Sequence, residues 1–303
     1  MVSIVIKFIK SPLSWAIGLI ILSVVGIYQK LQIQGIISLD NMAYVYYNPV
    51  ISEPTLASLK TLFLPYIYWM PLTWLTHMLD WAIFKDQFNA HLILNVILHA
   101  INSTLIFLIT RQLIGANEKK DKAWPLFWAL VSALIWSLHP LRVEVVAWIA
   151  ERKELLMSTF FLGSVLAYLC TKKEGLSWPV IGLGVAAFAS KPMAVSLPLV
   201  LCLMDLYPKQ RVKLFQDKWP CYWRIIKEKW LLWMGSLWVI AATLYGQQKG
   251  IAEGGAQFDL ISRIAGVFGR ITFYIEKTIF PAKLVPFYPD FRPGLGDWQV
   301  WIG

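Results

Sequence analysis

The chain has 303 residues, 57% of them hydrophobic and only 15% charged, with a mean hydropathy of +0.56. Soluble domains carry roughly 25% charged residues, and a chain this apolar must bury its surface, so a soluble fold and a disordered one are both excluded. What remains is an all-α polytopic membrane protein, in which each crossing needs about 20 mostly apolar residues. The net charge of +10 then belongs in cytoplasmic loops rather than on nucleic acid.

Lys7 and Lys10 precede an apolar run at 13–28, and no small-x-small cleavage site follows it at 29–35. That is an uncleaved anchor with a cytoplasmic N-terminus. Residues 30–90 form a mixed stretch rich in Tyr, Trp and Pro. Its segments 55–63 and 71–84 read as amphipathic surface helices of a first extracytoplasmic loop. Further apolar stretches follow at 92–110, 124–141, 155–170, 178–190, 193–207, 230–245 and 264–280. The two that flank Lys191-Pro192 are too short to cross singly. They predict a broken or re-entrant pair, which is tolerated only where protein or water covers the freed backbone groups.

With 71–84 at the surface, alternation places the basic clusters at 111–122, 172–173 and 209–229 in the cytoplasm with Lys7 and Lys10. The same alternation collects Asp40, Glu53, His77, His91, His139, Glu144, Glu151, Arg152, Lys153 and Lys191 at the outer face. Ionisable residues at membrane depth are costly and mark functional sites.

Each of these residues has a structural alternative. Asp40 is placed to accept a proton from an attacking hydroxyl, or to cap a turn. His91, Asn95 and His99 recur every four residues and form one polar stripe, suited to interhelical hydrogen bonds. They are not a zinc site, because position 95 is Asn. The charged run from His139 to Glu154 offers Arg152 and Lys153 to a phosphate, or is a solvated loop. Lys191, at the Pro192 break, requires a partner anion, either a carboxylate or a phosphate. Cys170, Cys202 and Cys221 are scattered and carry no metal spacing.

The order of motifs resembles a known family. It runs from Asp40 through Tyr44-Val45 and Asn48-Pro49 to Pro71-Leu72-Thr73-Trp74-Leu75-Thr76-His77-Met78-Leu79-Asp80. The His91/Asn95/His99 stripe follows, then His139-Pro140-Leu141-Arg142-Val143-Glu144 and Glu151-Arg152-Lys153-Glu154. Ser190-Lys191-Pro192-Met193, Asp205-Leu206-Tyr207-Pro208 and Pro281-Ala282-Lys283-Leu284 complete it. Together they resemble the membrane half of the transmembrane and tetratricopeptide-repeat proteins, whose animal members are protein O-mannosyltransferases with the GT-C fold.

The resemblance implies a single GT-C-like domain over 1–303, with about eight transmembrane or re-entrant helices. It implies a multi-pass protein of the bacterial inner membrane with an extracytoplasmic active site. The donor would be a polyprenyl-phosphate-linked, mannose-like sugar, and the acceptor a protein Ser or Thr hydroxyl. Asp40 matches the first-loop catalytic acid. Arg152, Lys153, Lys191, His91, His139 and Glu144 are the residues expected to bind donor phosphate or substrate. Asn41 stands where the family usually has a second acid, so a divalent cation would lose a ligand there, and no metal ligand is assigned. The family's tetratricopeptide repeats are absent, and the sequence stops at 298–303 where a further apolar helix would begin, as in a truncated product. A transporter or flippase for a lipid-linked anion would use the same lysine and broken helices, although no self-similar halves occur. A non-catalytic scaffold is the third reading, raised by Asn41.

Overall fold

The computed structural model describes residues 11–31, 41, 44–45, 47–64, 69–85, 87–116, 123–171, 174–213, 215–251 and 260–285. Every regular element among them is helical, as expected of an all-α chain. Helix α1 is Pro12–Tyr28, opened by Ser11, whose side chain accepts the Ser14 N–H, with Pro12 in the first turn. Short helices α2 (Pro49–Ser52) and α3 (Leu56–Thr61) follow, the second started by a reciprocal Thr55/Ser58 capping box. Helix α4 is Pro71–Phe84 and α5 is Phe88–Gly115. Helices α6 (Ala123–Leu138), α7 (Arg142–Ala147) and α8 (Arg152–Cys170) come next, with a 3₁₀ turn at Ile149–Glu151 before α8. The remainder is α9 (Trp178–Ser190), a 3₁₀ turn at Pro192–Ser196, α10 (Leu197–Leu206), α11 (Trp219–Lys227), α12 (Trp230–Ile251) and α13 (Leu260–Ile279).

Two stretches, Asn89–Gly115 and Ile149–Cys170, are long and apolar enough to cross a bilayer. Shorter apolar helices lie at Pro12–Tyr28, Ala123–Leu138, Trp178–Ser190 and Pro192–Leu206. Helix α5 is the hub. It buries Phe107 with Ala16 and Ile20 of α1 and Ala129 and Ala133 of α6 on one side. Leu98 and Ala100 meet Val24 and Tyr28 of α1 and Leu155 and Leu156 of α8 on the other. A second core joins α8, α9, α10 and α12 through Tyr168, Val180, Phe188, Leu201 and Leu232.

Helices α9 and α12 approach closely because each presents a glycine to the other. A Cβ on Gly184 would lie 2.7 Å from Leu232 Cδ2, and one on Gly235 would lie 2.7 Å from Phe188 Cε2. Small residues at such a crossing let the two helix backbones come close together.

The break expected at Lys191-Pro192 is present. Proline disfavours the helical region for the residue before it, and Lys191 is extended at φ −159°, ψ 141°. Protein covers the freed carbonyls. Thr73 Oγ1 donates to the Ser190 carbonyl at 2.8 Å, and Ser236 Oγ donates to that of Val195 at 3.0 Å. The break therefore stands against α4, the helix that carries the next set of polar residues.

Candidate functional site

Helix α4 has a polar stripe at Thr73, His77 and Asp80, spaced four and three residues apart and so on one face. All three are buried. The stripe turns toward the start of α8, where Arg152 has no solvent exposure. Arg152 Nη1 lies 2.5 Å from Asp80 Oδ2, Nε donates to Asn95 Oδ1 at 3.0 Å, and Nη2 donates to the His91 carbonyl at 2.6 Å. His91 Nδ1 stands 3.4 Å from the same Asp80 oxygen. Its Nε2 is 2.8 Å from the Lys85 carbonyl, which can only accept, so Nε2 carries the proton. A buried charge persists only when paired and hydrogen-bonded, and this arrangement meets that condition.

The stripe His91, Asn95, His99 makes the interhelical bonds its spacing favours. Asn95 Nδ2 donates to the carbonyls of Val146 and Trp148, and His99 Nε2 bonds that of Ser137 at 2.9 Å. These contacts hold the α7–α8 corner against α5.

Two further cations stand around the corner. Lys153 pairs with Glu151 at 2.9 Å, its ammonium 4.9 Å from the Tyr44 ring centroid. Lys191 pairs with Glu154, which supplies the carboxylate partner that its position requires. Glu144 is exposed on α7. Partial burial pushes its carboxyl up, and the charges of Glu151 and Glu154 add to the rise. His139 lies apart from the Arg152 group in its bonding. Its Nε2 meets the Thr278 carbonyl at 2.9 Å, and its Nδ1 accepts the Leu141 N–H.

Asp40 lies outside the described residues. Its neighbour Asn41 is buried, and Asn41 Oδ1 accepts the Ala150 N–H at 3.0 Å. The chain next to Asp40 is thereby fixed one residue from Glu151 and two from Arg152. Asn41 spends its oxygen on that amide. Among the described residues no group of three or more His, Cys, Asp or Glu converges as a metal site.

The structure thus gathers His91, Arg152, Lys153 and Lys191 around α4, α5 and the start of α8. It joins to them His77, which the alternation already sets at the outer face, and Asp80, which sequence reasoning passed over. The signal for Asp80 was the spacing of Thr73, His77 and Asp80 within an otherwise apolar helix. His77 is fully buried, and neither ring nitrogen has a hydrogen-bond partner among the described residues. Burial holds its imidazole well below the ordinary 6.5, and the charges of Arg152, His91 and Lys153 lower it further.

A depressed folded-state value means that only the unfolded chain takes up this proton just below pH 6.5. Stability from His77 is complete above that pH and falls as pH drops below it, by up to about 1.4 kcal/mol per unit. His77→Leu should flatten the dependence of the thermal midpoint on pH between 6.5 and 5.5. An unchanged slope would exclude His77 as its source.

A second buried charge group sits at the other end of α8, about 24 Å away by the helical rise from residue 152 to 168. Asp205 and Lys229 are both fully buried, with Nζ 2.5 Å from Oδ2. Tyr168 Oη donates to Asp205 Oδ1 at 2.6 Å, and Arg211 Nη1 is 3.1 Å from that oxygen. Arg211 also grips Glu228 through two bonds of 2.7 and 2.8 Å, which raise its guanidinium above the ordinary range.

The fold and site define an all-α protein with at least two helices fit to cross a bilayer and a buried, paired charge cluster at each end of α8. Comparison with known proteins agrees with the resemblance carried by the motifs. The chain is similar to the protein O-mannosyl-transferase TMTC3 of Mus musculus, 27% identical over 148 residues. It is 28% identical over 146 residues to TMTC3 of Homo sapiens and 28% over 139 residues to the protein O-mannosyl-transferase TMTC2 of Mus musculus. These matches cover 46%, 46% and 43% of this chain and 15% of each relative's length. No family model matches the chain, and no solved structure matches it significantly.

Proposed function

We propose that the chain is the membrane part of a GT-C-type glycosyltransferase. In this reading a bundle of about eight transmembrane or re-entrant helices moves a mannose-like sugar from a polyprenyl phosphate to a protein Ser or Thr hydroxyl at the extracytoplasmic face. The observation that carries the reading is the hydrogen bond from the Ala150 N–H to Asn41, which ties the segment after Asp40 to the corner bearing Lys153 and Arg152. The similarity to protein O-mannosyl-transferases supports it independently.

The acceptor oxygen attacks the anomeric carbon as the bond to the phosphate oxygen breaks, with inversion. Asp40 takes the hydroxyl proton, and the polyprenyl phosphate leaves with the electron pair. Lys153 and Lys191 stabilise the charge that grows on that phosphate, a task for which fixed cations in a dry site are well suited. Glu151 and Glu154 hold the two ammonium groups in place before the donor arrives. Arg152 positions Asp80, Asn95 and His91, and so the start of α8. His139 and Glu144 border the acceptor side.

Transfer of radiolabelled mannose from polyprenyl-phosphate-mannose to protein in membranes carrying the full-length gene tests this reading. Lys191→Ala should weaken donor binding by about 1.5–3 kcal/mol, the worth of a hydrogen bond to a charged group. Lys191→Arg should retain most of it. Unchanged donor affinity in a folded Lys191→Ala protein would leave that lysine a purely structural role.

A further inference from the structure

The sequence sets the basic cluster at 209–229 in the cytoplasm. Its structure is not that of a solvated loop. Arg211–Asp205 and Lys229–Asp205 bolt its two ends to α10, and Arg211–Glu228 ties those ends to each other. Lys213 N–H donates to Asp217 at 2.6 Å, and Tyr222 Oη donates to the Lys213 carbonyl at 2.7 Å, which brace the middle. On this frame α11 buries Ile225 and turns Trp219 and Trp223 outward, 70% and 46% exposed. Phe215, in the loop before it, is 94% exposed and has a φ of 61°. A bulky residue is rarely held at positive φ, and here the braced turn presents the ring outward.

The outward face is cationic as well as aromatic. Lys213, Lys218, Arg224 and Lys227 are exposed, against Asp217 alone among the exposed acids of the segment. Lys227 Nζ lies 5.5 Å from the Trp223 ring centroid, so aromatic and cationic groups share one surface. Water-facing helices are polar on their outer side. A face of Trp with Lys and Arg fits instead the boundary of a bilayer, where indole sits among headgroups and long cationic side chains reach phosphate. The face continues into Trp230, 59% exposed at the start of the apolar helix α12, which places it at the end of a membrane-facing element.

We propose that α11 and the turn before it form a docking surface for anionic phospholipid headgroups of the cytoplasmic leaflet. The proposal rests on the membrane reading given above, and its occupant is fixed by charge. Zwitterionic headgroups offer no net attraction to four exposed cations, whereas an anionic leaflet attracts each of them. The Asp205 and Arg211 contacts are the rigid mount that keeps Trp219 and Trp223 at the interface.

The test uses the full chain with its three cysteines replaced, reconstituted in nanodiscs. A fluorophore at Gln216→Cys reports the platform, and one at Ile101→Cys, exposed on α5, reports the spanning region. Quenching by lipids spin-labelled near the headgroup is compared in phosphatidylcholine and in a 7:3 mixture with phosphatidylglycerol. The Gln216→Cys label should be quenched strongly only in the mixture, and Arg224→Gln and Lys227→Gln should each lower the docked population roughly fivefold. Equal quenching of that label in both lipids, with Ile101→Cys quenched by deep spin labels, would overturn the platform and leave the membrane reading intact. Both labels unquenched would overturn the membrane reading itself. Should the cysteine-free chain fail to fold, phosphatidylglycerol retained by the wild-type protein through purification is compared with that retained by Arg224→Gln/Lys227→Gln. Equal retention would likewise overturn the proposal.

Discussion

Arg152→Met is expected to leave little folded protein. The side chain has no solvent exposure and is the cationic partner of buried Asp80 at 2.5 Å. Removing it strands that carboxylate in the interior and frees the Asn95 oxygen and the His91 carbonyl at once. Breaking a buried pair from one side costs about 3–5 kcal/mol, against a total stability of roughly 5–15 kcal/mol for a typical domain. The thermal midpoint in detergent and the monodisperse fraction on size exclusion measure the loss. Adding Asp80→Leu should recover most of it, because no charge then remains unpaired. A single variant as stable as wild type, or a double variant worse than the single, would show that the pair does not hold α4 to α8.

Asp205→Asn should be comparably damaging at the other end of the bundle. Lys229 is fully buried, and its ammonium donates to Asp205 Oδ2 and to the Ile225 carbonyl. Neutralising Asp205 leaves that ammonium without its counter-charge, while Arg211 still has Glu228. The expected loss is again about 3–5 kcal/mol. Lys229→Met on top of it should recover much of that loss, because no ammonium then stays buried without a counter-charge. The same double variant keeps the Arg211–Glu228 bridge and so leaves the mount of α11 half intact. Wild-type stability of Asp205→Asn would contradict the burial of Lys229.

Helix placement was legible because most of the helices are apolar over much of their length and stand out as runs between polar stretches. The helices at Pro71–Phe84 and Trp178–Ser190 fall where the sequence reading set them, and Pro192 marked the break. Helix α11 escaped that reading. Its nine residues mix Trp with Arg and Lys and form no apolar run. The charge pairs escaped it for a different reason. Asp80 and Arg152 lie 72 positions apart, and Asp205 and Lys229 lie 24 apart across two helices. Spacing along the chain cannot report which charge neutralises which. Lys191 was read correctly as needing an anion, and only the structure distinguishes Glu154 from a ligand as the partner at hand.

In the proposed sugar transfer Asp40 is the base. It is the only acid in 30–52, so no neighbour there can replace it. Asp40→Asn keeps the shape and removes the base, and Asn caps a turn about as well as Asp does. The decisive measurement is the rate of mannose transfer from polyprenyl-phosphate-mannose by the full-length Asp40→Asn protein, with donor binding measured on the same sample. Transfer should fall about 10²–10⁴-fold with donor binding largely intact. Transfer at the wild-type rate would contradict that role, and would leave Asp40 as a turn cap in a protein whose chemistry lies elsewhere.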